Sequence, residues 1–225
     1  MTIEPVATFF SPVEGKFGLP RQAGLAPSLK GSVRLIEGFA RQEALRGLEG
    51  FDYIWLLWGF NLNRESRDSS LTVRPPRLGG NERVGVFASR SPYRPNPIGL
   101  SCVRVESIDF EHCIINVLGA DLADGTPIYD IKPYVAYADS HPEAICGFVD
   151  SNDWKELEVM IPDSLPFSEA EREELLSILA QDPRPQYQND PEKTYGMVFS
   201  GRNVRFKVEG RILTVLDEQN QATIS

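Results

Sequence analysis

Cysteine is scarce in this chain: Cys102, Cys113 and Cys146 form an odd set with no CxxC spacing among 225 residues. That argues against a disulfide framework and a zinc knuckle, and leaves three structural thiols. Histidine is scarcer still, and His112 and His141 alone cannot build a His-rich metal site, so no metal is expected. His112, in the polar EHC break between two apolar runs, reads as a turn residue. The opening MTIEPVATFFSP lacks a basic leader and a long apolar run, and no stretch approaches the ~20 apolar residues of a membrane span. A cytoplasmic protein is the expectation. Neither GxGxxG nor GxxxxGK followed by Ser or Thr occurs, which removes support for Rossmann-type dinucleotide and nucleoside-triphosphate binding. Internal repeats and low-complexity segments are absent too.

What is present is an ordinary globular composition, 41% hydrophobic and 24% charged, long enough to bury one substantial core. The most informative stretch is RSPYRPNPIGLS at residues 90–101, where Pro92, Pro95 and Pro97 fix φ, remove backbone donors and push each preceding residue toward extended geometry. Arg90, Tyr93, Arg94 and Asn96 therefore project from a stiff backbone, either as a pre-shaped wall of a polar site or from a polyproline connector or docking peptide. The net charge of −9 hides a split: residues 1–104 carry +5 and residues 105–225 carry −14. Positive charge concentrates as Arg64, Arg67, Arg74, Arg77, Arg83, Arg90 and Arg94, with no lysine between residues 64 and 94. Arginine's planar fork suits phosphate and base stacking, although two or three of these are expected to pair with the acidic C-terminal part.

Short β-type runs dominate the first two thirds, at Val6 to Phe10, Val33 to Glu37, Tyr53 to Phe60, Val84 to Ala88, Ser101 to Ser107 and Cys113 to Leu118. YIWLLWGF is apolar on both faces, which makes it a central strand. Ala40 to Leu48 repeats apolar side chains at helical spacing, with Gly50 as a stop. Many antiparallel strands without regular intervening helices predict a mainly β fold: an antiparallel β-barrel, not a Rossmann sheet, over residues 1–150. Residues 151–225 read as a small α+β domain. Its helix, SEAEREELLSILAQ, opens on a capping box of Ser168 and Glu171 and ends at Asp182-Pro183, and three strands follow. A unit that small should pack on the barrel or on a second subunit.

Polar, Gly- and Pro-flanked loops recur. DGTPIYDIKPY at residues 124–134 offers Asp124, Asp130, Lys132 and Tyr134, groups that can anchor hydroxyls, hold an ammonium or move a proton, while Asp124 equally suits capping its own turn. PRQAGL at 20–25 presents Arg21 and Gln22, and RPPRLGG at 74–80 adds two arginines.

In this order, PRQAGL, RPPRLGG, GVFASRSPYRPNPIGLS and LADGTPIYDIKPY resemble the TsaA-like (TrmO) family of tRNA methyltransferases, and DPRPQY at 182–187 resembles its C-terminal part. The resemblance implies a homodimeric, S-adenosylmethionine-dependent β-barrel enzyme that methylates N6 of threonylcarbamoyl-adenosine beside the anticodon of threonine tRNA, with the cofactor near the subunit contact. Carried over position by position, the cofactor contacts would be Pro20, Arg21, Gln22, Asn61, Leu62, Arg90, Leu100, Leu122, Ala123, Asp124 and Gly125. At Asn61 and Leu62 similar sequences often carry a histidine followed by a polar residue, and the next loop, NRESRDSSL, differs in length and charge from relatives.

Methyl transfer from a sulfonium chiefly needs in-line alignment, and the urea-like N6 must shed its proton at or near the transition state. Asp124 or Asp130 is the candidate acceptor, and Lys132 or Arg94 the candidate partner of the threonyl carboxylate. Arg74, Arg77, Tyr93 and Arg94 are the candidate RNA contacts, through phosphates and base stacking. The competing readings are a non-catalytic RNA or adenosine-metabolite binding module, and a methyltransferase acting on a small molecule or protein.

Overall fold

The computed structural model describes residues 2–62, 71–75, 82–150, 155–184 and 190–220. Six strands close into an antiparallel barrel: β1 (Ala7–Phe10), β2 (Lys30–Leu35), β3 (Tyr53–Gly59), β6 (Ile98–Asp109), β7 (Ile114–Leu118) and β8 (Thr126–Pro133), in the order β1-β2-β7-β6-β3-β8, with β8 returning to β1. Closure leaves no free edge among them. Strand β3 lies between β6 and β8, as its double apolar face requires. Ile54, Leu56 and Trp58 turn inward and are buried with Phe9, Val33, Val103, Ile115 and Ile128. Tyr53, Trp55 and Leu57 alternate onto the outer face. Two short strands, β4 (Thr72–Val73) and β5 (Val84–Gly85), pair beside the barrel.

The predicted strand over 84–88 is only two residues long, because Val86–Ala88 winds into a 3-10 turn that buries Val86. The predicted helix over 40–48 shrinks to α1 (Gln42–Leu45), since Gly47 adopts a left-handed φ of 88° that no helix can continue. The strand predicted from Ser101 begins earlier, at Ile98, directly after Pro97 frees the backbone to pair. A single-turn helix, α2 (Ala136–Asp139), follows β8.

The C-terminal unit comprises β9 (Glu158–Met160), α3 (Glu169–Leu179), β10 (Tyr195–Phe199), β11 (Arg202–Glu209) and β12 (Ile212–Asn220), its sheet ordered β10-β11-β12-β9 with β12 and β9 parallel. Helix α3 begins on the predicted capping box: Ser168 Oγ accepts from the Glu171 amide, and the Glu171 carboxylate accepts from the Ser168 amide. Its apolar face, Leu175, Ile178 and Leu179, packs on the sheet. The same core takes in Val13, Ala26 and Leu29, with Phe17 and Leu19 against it, so the loop between β1 and β2 belongs to both halves of the molecule. Val13 bridges Phe199, and the Ser200 amide donates to the Pro12 carbonyl at 2.8 Å.

Candidate active site at the barrel rim

Four separate segments meet at one end of the barrel. The Gly24 amide donates to the Gly119 carbonyl at 2.8 Å, which lays the 20–25 loop against the segment leading into 121–125. Arg90 Nη1 donates to Gln22 Oε1 and so ties the proline segment to that loop. Two residues beyond Gly119 stands Asp121, whose carboxylate accepts the Ser101 hydroxyl at 2.5 Å. Ser101 in turn accepts the Trp58 indole N–H at 2.9 Å from β3. Burial pushes the Asp121 carboxyl above its ordinary range, opposed by the Ser101 hydroxyl and the positive charge of Arg90.

The 122–126 turn is fixed on its other side. Gly125 takes φ 73°, open to glycine, and its amide donates to the Phe9 carbonyl at 2.9 Å. Asp124 accepts the Ser11 amide through Oδ1 at 3.0 Å. Its anchor is thus the end of β1, not its own turn. The carboxamide of Asn61 spans this turn, donating to the Asp124 carbonyl at 3.4 Å and accepting from Thr126 Oγ1 at 3.2 Å. Leu122 and Ala123 are buried, which leaves their backbone as what they offer a ligand, and Leu62 is exposed. The proline segment is held by its own hydroxyls: Ser89 Oγ accepts the Ser91 amide, Ser91 Oγ the Tyr93 amide, and Arg94 Nη1 donates to the Ser89 carbonyl at 3.1 Å.

Arg21 points away from this cluster, donating to the backbone carbonyls of Asp182 and Arg184 at 3.4 and 3.5 Å, beside the Asp182–Arg184 ion pair. Pro20, just ahead of it, is buried. Asp130 and Lys132 occupy the outer face of β8 and pair with each other at 2.8 Å. Leu57 is registered with Leu100 on one side and Asp130 on the other, so these two flank it, about 10 Å apart across two strand spacings. Leu100 is 56% exposed on that face. Arg74 and Tyr93 are exposed as well. Arg77, most of the 63–71 loop and residues 185–187 of DPRPQY lie outside the described residues. Among the described residues no group of three or more His, Cys, Asp or Glu side chains could hold a metal ion, and no helix is long and apolar enough to cross a membrane. Asp121 and Ser101 were missed in the sequence: Ser101 is the last residue of GVFASRSPYRPNPIGLS and is buried, and Asp121 lies one residue ahead of LADGTPIYDIKPY.

The cluster pairs a guanidinium, a carboxamide and carboxylates with backbone amides and carbonyls, flanked by the apolar Leu62 and Leu100. That donor set fits a nucleoside carrying an amino-acid tail, such as S-adenosylmethionine. A closed antiparallel barrel whose polar site is built from rim loops, without a glycine-rich strand-to-helix turn, defines a class apart from Rossmann methyltransferases. The models of the tRNA-methyltransferase O N-terminal domain and the TrmO C-terminal domain match residues 8–140 and 168–221. The chain belongs to the TrmO family. It is 42% identical to the tRNA (adenine(37)-N6)-methyltransferase of Escherichia coli (strain K12), over 91% of this chain and 92% of that protein. It is 41% identical to a putative S-adenosylmethionine-dependent methyltransferase, RcsF, of Pseudomonas aeruginosa, over 87% of each chain. The crystal structure of TrmO from Pseudomonas aeruginosa superposes with a TM-score of 0.80 at 31% identity, covering 98% of both chains.

Proposed function

We propose that this chain is an S-adenosylmethionine-dependent tRNA methyltransferase that methylates N6 of threonylcarbamoyl-adenosine beside the anticodon of threonine tRNA, working in the cytoplasm as a homodimer. The observation that carries this reading is the meeting of four rim segments, 20–25, 58–61, 90–101 and 121–126, around Arg90, Gln22 and Asp121 in a TrmO-family barrel. Bound there, the cofactor supplies a methyl group on a sulfonium. The protein's part is to hold the acceptor in line, an effect worth roughly 7–11 kcal/mol in favourable cases.

Gln22 and Arg90 form one wall, the Leu122–Gly125 backbone a second, with Asn61 and Leu62 beside it and Leu100 as the apolar flank; Pro20 and Arg21 shape the loop from behind. Asp124 or Asp130 takes the N6 proton, and Lys132 or Arg94 holds the threonyl carboxylate. Asp130 and Lys132 are already partnered, so tRNA entry exchanges that ion pair for substrate contacts. Arg74, Arg77 and Arg94 hold phosphates, and Tyr93 stacks on an anticodon-loop base. The outer β3–β6 face, with Ile98, Leu100, Trp55 and Leu57, is the surface a second copy covers, which sets Leu100 where the cofactor meets the subunit contact. Residues 1–150 carry the chemistry, and residues 151–225 brace the 13–29 loop.

Incubation with methyl-labelled cofactor and total tRNA lacking this methylation is the test. Label in threonine tRNA supports the reading. Binding of RNA or of an adenosine metabolite without transfer would make the chain a binding module instead.

A further inference from the structure

The turn just ahead of Arg90 holds a phenyl ring out in water. Val86–Ala88 winds into a single 3-10 turn in which Val86 is buried, while Phe87, the next residue, is 77% exposed. That turn is pinned at three points. The Val86 amide donates to the Leu71 carbonyl at 2.9 Å, the Ser89 hydroxyl donates to the Val86 carbonyl at 2.9 Å, and Arg94 Nη1 donates to the Ser89 carbonyl at 3.1 Å. None of these bonds needs an aromatic ring at 87, and a polar side chain would suit so exposed a position better. Nor is the ring a solitary apolar group. Leu71, whose carbonyl holds the turn, is 62% exposed, and the exposed Tyr93 follows on the Ser89–Ser91 hydroxyl bonds. Apolar groups gathered on a polar surface mark a site of interaction. The charge around them says with what. Residues 69–105 hold six arginines and a single acid, Glu82. Arg83 reaches Thr72 Oγ1 at 3.0 Å across the β4–β5 ribbon that leads into the turn, and Arg90, three residues beyond the ring, reaches Gln22 of the cofactor loop. An unpaired RNA loop supplies both partners at once, phosphates for the guanidiniums and a base face for the ring.

We propose that Phe87 is an RNA-contact residue whose ring stacks on an unpaired anticodon-loop base beside the one that receives the methyl group. The proposal rests on the tRNA reading above. It deepens that reading by assigning a rigidly mounted stacking platform to the β4–β5 ribbon and its turn. Stacking tolerates any base, because every base has a π face, so Phe87 contributes affinity and placement while selection among sequences lies elsewhere. It takes no part in holding the cofactor.

The test is filter binding of threonine tRNA lacking this methylation to the full-length parent, Phe87→Ala, Phe87→Leu and Phe87→Trp over a range of salt. Calorimetric titration of S-adenosylmethionine and sedimentation velocity are run on each protein. Phe87→Ala should raise the tRNA Kd about 5–150-fold at every salt concentration, with the slope of log Kd against log salt unchanged, since no phosphate contact is lost. Phe87→Leu keeps apolar bulk without a π face and should lose most of what Ala loses. Phe87→Trp should bind within about threefold of the parent, and its added indole should be quenched by tRNA beyond the quenching seen in the parent. Cofactor Kd and sedimentation coefficient should match the parent throughout. The Trp variant holds the idea to account even if the Ala variant does not fold.

A folded Phe87→Ala protein with the parental tRNA Kd, a Leu variant that binds like the parent, or an added indole that tRNA leaves unquenched would each overturn the proposal. So would a changed sedimentation coefficient in Phe87→Ala, which would make the ring a contact between two copies of the chain, or a weakened cofactor Kd, which would make it part of the cofactor's wall. Failure of the parent itself to bind tRNA would instead remove the tRNA reading, and the stacking contact with it.

Discussion

Gly99 has no room for a methyl group. A Cβ built there lies 2.6 Å from Trp58 Cδ2 and closer still to Cε2 and Cζ2, so the indole must retreat by about an ångström to reach the 3.4 Å of ordinary contact. It has nowhere easy to go. Trp58 is 7% exposed, stands edge-on to Phe60 at 4.4 Å between ring centroids, and is pinned by its bond to Ser101. Overpacking of this kind costs about 1–3 kcal/mol, and a strained or broken Trp58–Ser101 bond adds about 0.5–1.5 kcal/mol. Gly99→Ala should therefore lose about 2–4 kcal/mol, or roughly 5–15 °C in Tm for a chain of this length. Gly85→Ala is the control, because its φ of −58° suits any residue and nothing lies within 4 Å of the added carbon. It should melt within about 2 °C of the parent. Differential scanning calorimetry of both, with Trp58→Phe added to the Gly99→Ala background, completes the experiment. The smaller ring should recover part of the loss as a non-additive coupling. Gly99→Ala melting with the parent, or a double variant that is simply additive, would show that the indole is not held as described.

Four more outcomes follow from the structure and the proposed function. The Arg172 guanidinium donates to the carbonyls of Ile161, Pro162, Asp163, Leu165 and Phe167, at 2.6 Å for Leu165, so Arg172→Met should destabilise the C-terminal unit by about 3 kcal/mol in urea denaturation, with Lys unable to replace the fork. Glu174 is buried between α3 and β2, where burial raises its carboxyl despite the Lys30 amide; the ionised form is penalised once pH rises through the raised value, so Glu174→Gln should raise Tm at pH 7.5 and leave it unchanged at pH 4. Arg74→Ala should weaken tRNA binding evenly across sequences and flatten the salt slope by about one, whereas Tyr93→Ala should lose about 1–3 kcal/mol in filter binding at every salt concentration.

Much of the barrel was legible because its strands alternate or run apolar, and β3 announced its central position by carrying apolar residues on both faces. The α3 start was legible to the residue, since Ser168 and Glu171 satisfy each other within four positions and need nothing from the rest of the chain. Where a boundary depended on neighbours, the sequence fell short: Val86 leaves the ladder because it can be buried by turning, and α1 stops at Gly47 rather than Gly50. The same holds for the site. The quoted motifs located its loops, but Asp124 answers to Ser11 and Asp121 to Ser101, partnerships that exist only once β8 has met β1 and β6 has met β3. Arg21, named for the cofactor by resemblance, reaches Asp182 and Arg184, a liaison spanning most of the chain.

The shared core around Val13, Phe17, Leu19 and Leu29 has a consequence for biogenesis. These residues leave the ribosome well before Phe199, Phe206 and Val215, which cover them. At about 5–20 residues per second, the greasy β1–β2 loop waits roughly 10–40 seconds for its lid. A truncated or stalled chain would present that loop bare to chaperones and proteases, so synthesis that stops short of β12 should be disposed of rather than left as a half-built enzyme.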